Sequence, residues 1–119
     1  MVRMRRYHAY ADPVIGRALR LITNEPAFQW SVANLAAEVG LSRAALARRF
    51  NDLVGEPPMT YLAGWRLAIA ADLLLEPGST VTGVARHIGY NSPFTFSAAF
   101  KRRYGVSPKA HRGLRTLSA

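Results

Sequence analysis

One pattern of residues is written twice along this chain. Ser31 to Gly40, SVANLAAEVG, aligns with Thr80 to Gly89, TVTGVARHIG, with a hydroxyl residue, then Val, Leu or Val, Ala, Val or Ile, and Gly at matching offsets. Ser42 to Gly55 (SRAALARRFNDLVG) aligns in turn with Ser92 to Gly105 (SPFTFSAAFKRRYG), pairing Leu46 with Phe96, Phe50 with Phe100 and Gly55 with Gly105. Pro58 then matches Pro108. The extra residue Asn91 falls in the second turn, where an insertion lengthens a loop and leaves the helices intact. Between the copies lies Pro58 to Glu76, PMTYLAGWRLAIAADLLLE, apolar around most of a helical circumference through Leu62, Trp65, Leu67, Ile69 to Ala71 and Leu73 to Leu75. Such a helix is buried from more than one side, and Pro57-Pro58 and Pro77-Gly78 punctuate its ends.

Helix signals fill the rest. Asp12-Pro13 pairs a capping carboxylate with a first-turn proline and opens a helix to about Asn24, with Val14, Ala18, Leu21 and Ile22 as its apolar stripe. Residues 1–11 show no clear period and read as a flexible or linker segment. Phe28 and Trp30 are expected to plug a core edge rather than stack on bases. Ser31 caps a helix that turns Val32, Leu35, Ala36 and Val39 inward and ends at Gly40. Ser42 caps the next, with Leu46, Phe50 and Leu53 inward and Ala44, Ala47, Arg48 and Asn51 outward. In the second copy Thr80 caps a helix of Val81, Val84, Ala85 and Ile88. Ser92-Pro93 then opens one with Phe96, Phe100 and Tyr104 in the core and Phe94, Ser97, Ala98 and Lys101 outside. Ser107-Pro108 starts a short last helix to about Arg115. The expectation is an all-α fold of about seven helices: residues 12–57 as a first helix-turn-helix subdomain, 58–76 as the linker helix and 77–119 as a second subdomain.

Charge narrows the function. Sixteen Lys and Arg stand against seven Asp and Glu, a formal +9, and beyond Glu76 every charged residue is basic (Arg86, Lys101, Arg102, Arg103, Lys109, Arg112, Arg115). A polyanion is the natural partner. The chain has no cysteine, so disulfides and thiolate zinc sites are excluded, which fits a reducing compartment. No apolar run approaches the ~20 residues of a membrane span, and Met1 to Arg6 lacks the apolar segment of a secretory signal. A cytoplasmic protein without metal or cofactor and without a membrane partner is expected.

Helix, glycine turn, helix is a DNA-reading unit when its second helix enters the major groove, and a plain packing unit otherwise. Two copies on a basic chain favour DNA. An enzyme is disfavoured: His8, His87 and His111 are far apart, no cysteine nucleophile, carboxylate pair or phosphate-cradling Gly loop occurs, and Ser31, Ser42, Thr80 and Ser92 are explained as caps. Arg66 is either a phosphate contact or an edge-of-core residue whose stem packs beside apolar surface. One rival is an architectural protein that coats DNA whatever its sequence. Another is a membrane-surface peptide, which needs an exposed amphipathic basic helix; here the most basic helix carries a Phe stripe that folding hides.

Residues Val32 to Gly40, Tyr61-Leu62 with Arg66-Leu67, and above all Ile88 to Pro108, IGYNSPFTFSAAFKRRYGVSP, resemble the C-terminal DNA-binding domain of the AraC family of transcription regulators, over about Pro13 to Arg112. The resemblance implies seven helices in two helix-turn-helix units joined by a long helix, both reader helices inserting into successive major grooves of double-stranded DNA. The family's base-facing positions fall on Ala44, Ala47 and Arg48 and on Pro93, Phe94, Ser97 and Ala98, and Asn51 continues the first row. Arg43, Arg49, Thr95, Lys101, Arg102 and Arg103 are assigned to phosphate. Ala98 stands where the family commonly carries arginine, and His111 where it commonly carries tyrosine. Longer members add an N-terminal sensory and dimerising domain, absent from these 119 residues, and RNA polymerase is a further partner such regulators imply; the isolated domain is expected to be monomeric. The linker core, Thr60 to Glu76, measures about 25 Å at ~1.5 Å per residue, short of the ~34 Å between successive major grooves, so the readers splay or the DNA bends.

Overall fold

Six helix starts in the structure, a computed structural model describing residues 8–114, are each written by a residue whose side chain accepts from free backbone N–H groups. Among the described residues there are helices and no strands. After a helical turn at residues 8–11 come α1 (Pro13–Asn24), α2 (Val32–Val39), α3 (Arg43–Val54), α4 (Pro58–Leu73), α5 (Val81–His87), α6 (Pro93–Tyr104) and α7 (Pro108–Arg112). None is long and apolar enough to cross a membrane. The chain divides into two compact units, residues 1–63 and 64–119.

In the first unit, Asp12 caps α1, Ser31 caps α2 and Ser42 caps α3. Ser31 and Asn34 form a reciprocal capping box, Asn34 Oδ1 accepting the Ser31 N–H at 2.8 Å and Ser31 Oγ accepting the Asn34 N–H at 3.1 Å. Gly40 closes α2 at φ +76, where a side chain would be strained, and lets the Leu41 N–H reach back to the Ala36 carbonyl at 3.0 Å. Ile15, Ala18, Leu19, Ile22, Leu35, Ala36, Leu46, Phe50 and Val54 form the core with Tyr61 and Leu62 of α4. The apolar stripe of α1 is thus turned from the expected one: Ile15 and Leu19 are buried, whereas Val14 and Leu21 are half-buried. Both sets obey helical spacing, and the packing partner decides between them.

Residues 8–11, expected to be flexible or linker, are helical and Ala9 is fully buried; residues 1–7 lie outside the described residues. Gly16 makes this possible, since a Cβ there would lie 2.4 Å from the Tyr10 carbonyl oxygen. Trp30 packs against the core and donates its Nε1–H to the Glu25 carbonyl at 2.9 Å, but Phe28 is half exposed and leans on the Trp30 ring instead of filling the core.

In the second unit, Thr80, Ser92 and Ser107 cap α5, α6 and α7. Leu67, Ala70 and Leu74 meet Val84, Ala85, Ile88, Phe96 and Phe100 in the core. Tyr104, expected inside, is exposed and rests its ring on Phe100 with centroids 4.7 Å apart. It occupies the last helical turn, where the core has run out. The linker helix also stops short of the expected Glu76, at Leu73. Leu75 and Glu76 donate to Asp72 and Leu73, three residues back, a tightened final turn that Pro77 and the left-handed Gly78 (φ +82) enforce. The last helix ends at Arg112, and Arg115 lies outside the described residues.

Candidate nucleic-acid interface

The outward row of α3 follows from the burial of its inward one. With Leu46 and Phe50 fully buried, the opposite side of the helix carries Ala44, Arg48 and Asn51 exposed and Ala47 half-buried. Arg43 at the first position is exposed as well. Among the described residues the Arg48 guanidinium meets no carboxylate, so its donors are free for a partner outside the chain.

Arg49 differs. Its Nη2 donates to Asp12 Oδ2, while Asp12 Oδ1 accepts the N–H groups of Val14 at 3.0 Å and Ile15 at 2.9 Å. Burial by itself would push the Asp12 carboxyl up, but the Ile15 N–H, the Arg49 guanidinium and the Val14 N–H together hold it below the ordinary carboxylate value. The Asp-Pro pair signals the cap; nothing local signals that the second carboxylate oxygen reaches a residue 37 positions away.

On α6 the pattern is apolar and small at the front and basic at the back. Phe94 is 85% exposed, Thr95 and Ala98 are exposed, and Pro93 and Ser97 are half-buried. Lys101, Arg102 and Arg103 are exposed in the last turn, where cations also suit the carbonyl end of a helix. The Arg103 guanidinium passes close to α4 at Gly64, its nitrogens 3.7 Å from where a Cβ would stand.

The turn before α6 runs through Gly89 (φ +97) and Tyr90, whose ring tilts against Phe96. The half-buried Arg66 guanidinium lies 5.9 Å from the Tyr90 centroid, which places Arg66 at the core edge. Burial pulls the Arg66 guanidinium down and pushes the Tyr90 hydroxyl up, each opposed by the other group. His111 closes the unit from α7: its Nε2 lies 2.8 Å from the Ala71 carbonyl oxygen and therefore donates, and its ring meets Phe100 edge-on at 5.4 Å.

The sequence pattern of the helix-turn-helix domain family matches residues 35–113. The chain is 42% identical over 86% of its length to a putative AraC-like transcription regulator of Streptomyces lividans, and 36% identical over 87% to the regulator AlkR of Acinetobacter baylyi. It spans 34% of the length of each. Its fold is similar to the DNA-binding domain of AdpA, solved in complex with a target DNA, at a TM-score of 0.84 and 31% identity, covering 90% of this chain and 96% of that one. The C-terminal domain of AraT from Geobacillus stearothermophilus superposes at 0.83 and 28% identity, covering 87% of both chains. With two capped helix-turn-helix units and these relatives, the chain belongs to the AraC type of helix-turn-helix domains, the DNA-binding part of transcription regulators.

Proposed function

We propose that this domain binds double-stranded DNA in a sequence-specific manner, α3 and α6 entering successive major grooves, with two readers of unequal strength. The observation that carries the reading is the contrast between their outward rows. Arg48 is exposed, unpaired among the described residues and flanked by the small Ala44 and Ala47, so it can reach guanine O6 and N7 in a bidentate contact. Its counterpart on α6 is Ala98, and the residues beside it, Pro93, Phe94 and Ser97, suit thymine methyl contact and groove shape. Asn51 extends the first row; Arg43, Thr95, Lys101, Arg102 and Arg103 serve as phosphate contacts that fix register and carry no sequence information. A strong half-site and a permissive one result, with the readers splaying or the DNA bending to meet both.

A purely architectural mode is the second reading, favoured by the absence of a long polar base reader on α6 and by the basic last turn. Selection of bound sequences from random duplex DNA separates the two. A recovered motif that survives excess nonspecific competitor, with more information at one half-site, supports the first reading; an unstructured pool supports the second. A circular-permutation gel that finds neither bending nor two protected adjacent grooves rules out the two-reader mode. Because the relatives are about three times as long, the sensory domain and RNA polymerase as a partner belong to this proposal, as does a cytoplasmic location.

A further inference from the structure

Asp12 lies outside both outward rows, yet it is bonded to a reader helix. One of its oxygens caps α1 through Val14 and Ile15, and the other accepts from Arg49 on the flank of α3. The carboxylate side chain is only 16% exposed while the Arg49 side chain is 45% exposed, so the arginine reaches inward to a charge that solvent covers poorly. α1 is itself fixed by Ile15, Ala18, Leu19 and Ile22 in the core. One side chain thus ties the start of a core-packed helix to the flank of the helix that presents Arg48.

We propose that Asp12 and Arg49 are positioning residues for the first reader: the pair sets the orientation of the outward row of α3, and Arg49 is thereby withdrawn from phosphate. This rests on α3 being a DNA reader. Arg48 and Arg49 are neighbours in sequence but about 100° apart around the helix, and among the described residues only the second has a carboxylate within reach. Moving Arg49 to a phosphate would exchange one charge-assisted bond for another and leave Asp12, whose side chain is 16% exposed, without its partner cation. Keeping Arg49 on Asp12 avoids both the exchange and the unpaired charge.

The test compares the full chain with Asp12→Asn, Arg49→Ala and the double variant, on the selected duplex and a scrambled one, over a range of salt. Asparagine ranks with aspartate at a helix N-cap, so Asp12→Asn keeps the cap and removes the charge. Stoichiometric titration fixes the binding-competent fraction, so that lost folding is not counted as lost affinity. Positioning predicts that each single variant binds the selected duplex about two- to fivefold more weakly, the scale of a partly exposed ion pair. The slope of log affinity against log salt stays that of the wild type, and the double variant is no weaker than either single one. The proposal is overturned if Arg49→Ala lowers the slope by about one and Asp12→Asn tightens binding, because Arg49 is then a phosphate contact that Asp12 restrains. It is equally overturned if affinities are unchanged while the melting temperature falls, because the pair is then a stability brace alone. A wild type that binds both duplexes alike removes base reading by α3, but the slopes on either duplex still decide the role of Arg49.

Discussion

His111 Nε2 donates to the carbonyl oxygen of Ala71, 40 positions earlier and near the end of the linker helix, at 2.8 Å. Leu74 continues the turn normally, its N–H bonding the Ala70 carbonyl at 2.9 Å, but the tightened bonds of Leu75 and Glu76 leave nearby carbonyls in want of partners. A histidine from α7 supplies a donor there and lays its ring on Phe100. The residue that departs from the family's common tyrosine still performs a closing contact.

His111→Ala removes that donor and that ring together. The expected loss is about 1–3 kcal/mol of unfolding free energy, a hydrogen bond plus a modest aromatic contact, read as a lower urea midpoint at unchanged slope. An unchanged midpoint would show that α7 contributes no stability through this contact.

Arg48→Ala is expected to cost about 1–3 kcal/mol on the selected duplex and to relax preference at one or two base pairs. Equal losses on selected and scrambled DNA, with a shallower salt slope, would instead make Arg48 a phosphate contact.

Arg102→Ala should weaken every duplex alike and reduce the salt slope by about one. A loss confined to one sequence would move Arg102 into the base-reading set.

Asp12 makes stability pH-dependent. Its carboxyl titrates lower in the folded chain than its ordinary value, so its contribution is present above the unfolded value of ~3.9 and is lost as pH falls through the folded one. The urea midpoint of the wild type should therefore fall more steeply below about pH 4 than that of Asp12→Asn; parallel curves would refute the assignment.

Gly16→Ala tests the helical turn at residues 8–11. Alanine gains about 1 kcal/mol of helix propensity, but its Cβ would meet the Tyr10 carbonyl at 2.4 Å, and overpacking against backbone costs ~1–3 kcal/mol. Net destabilisation is expected, and a stabilised variant would mean that the turn moves aside freely.

Most of the fold was legible because its punctuation is local. Asp12, Ser31, Ser42, Thr80, Ser92 and Ser107 each bond N–H groups two or three residues ahead, and Gly40, Gly55 and Gly105 take the left-handed conformation just past a helix. What escaped depends on packing between distant segments. The rotation of α1 toward Ile15 and Leu19 is chosen by its partners, and the buried Ala9 by a gap at Gly16. The candidate interface divides the same way: the outward rows follow from helical period, whereas the link from Arg49 to Asp12 crosses 37 positions and leaves no trace in either neighbourhood.

Phe94, 85% exposed at the first turn of α6, leaves nearly a whole benzyl group in water. Whatever covers that ring removes apolar surface from solvent, and apolar burial lowers heat capacity whereas counterion release at phosphates does not require it. Calorimetry across temperature should therefore separate the two modes of contact. If α6 seats its ring against base methyls, the binding enthalpy becomes more negative on warming, and Phe94→Ala flattens that trend.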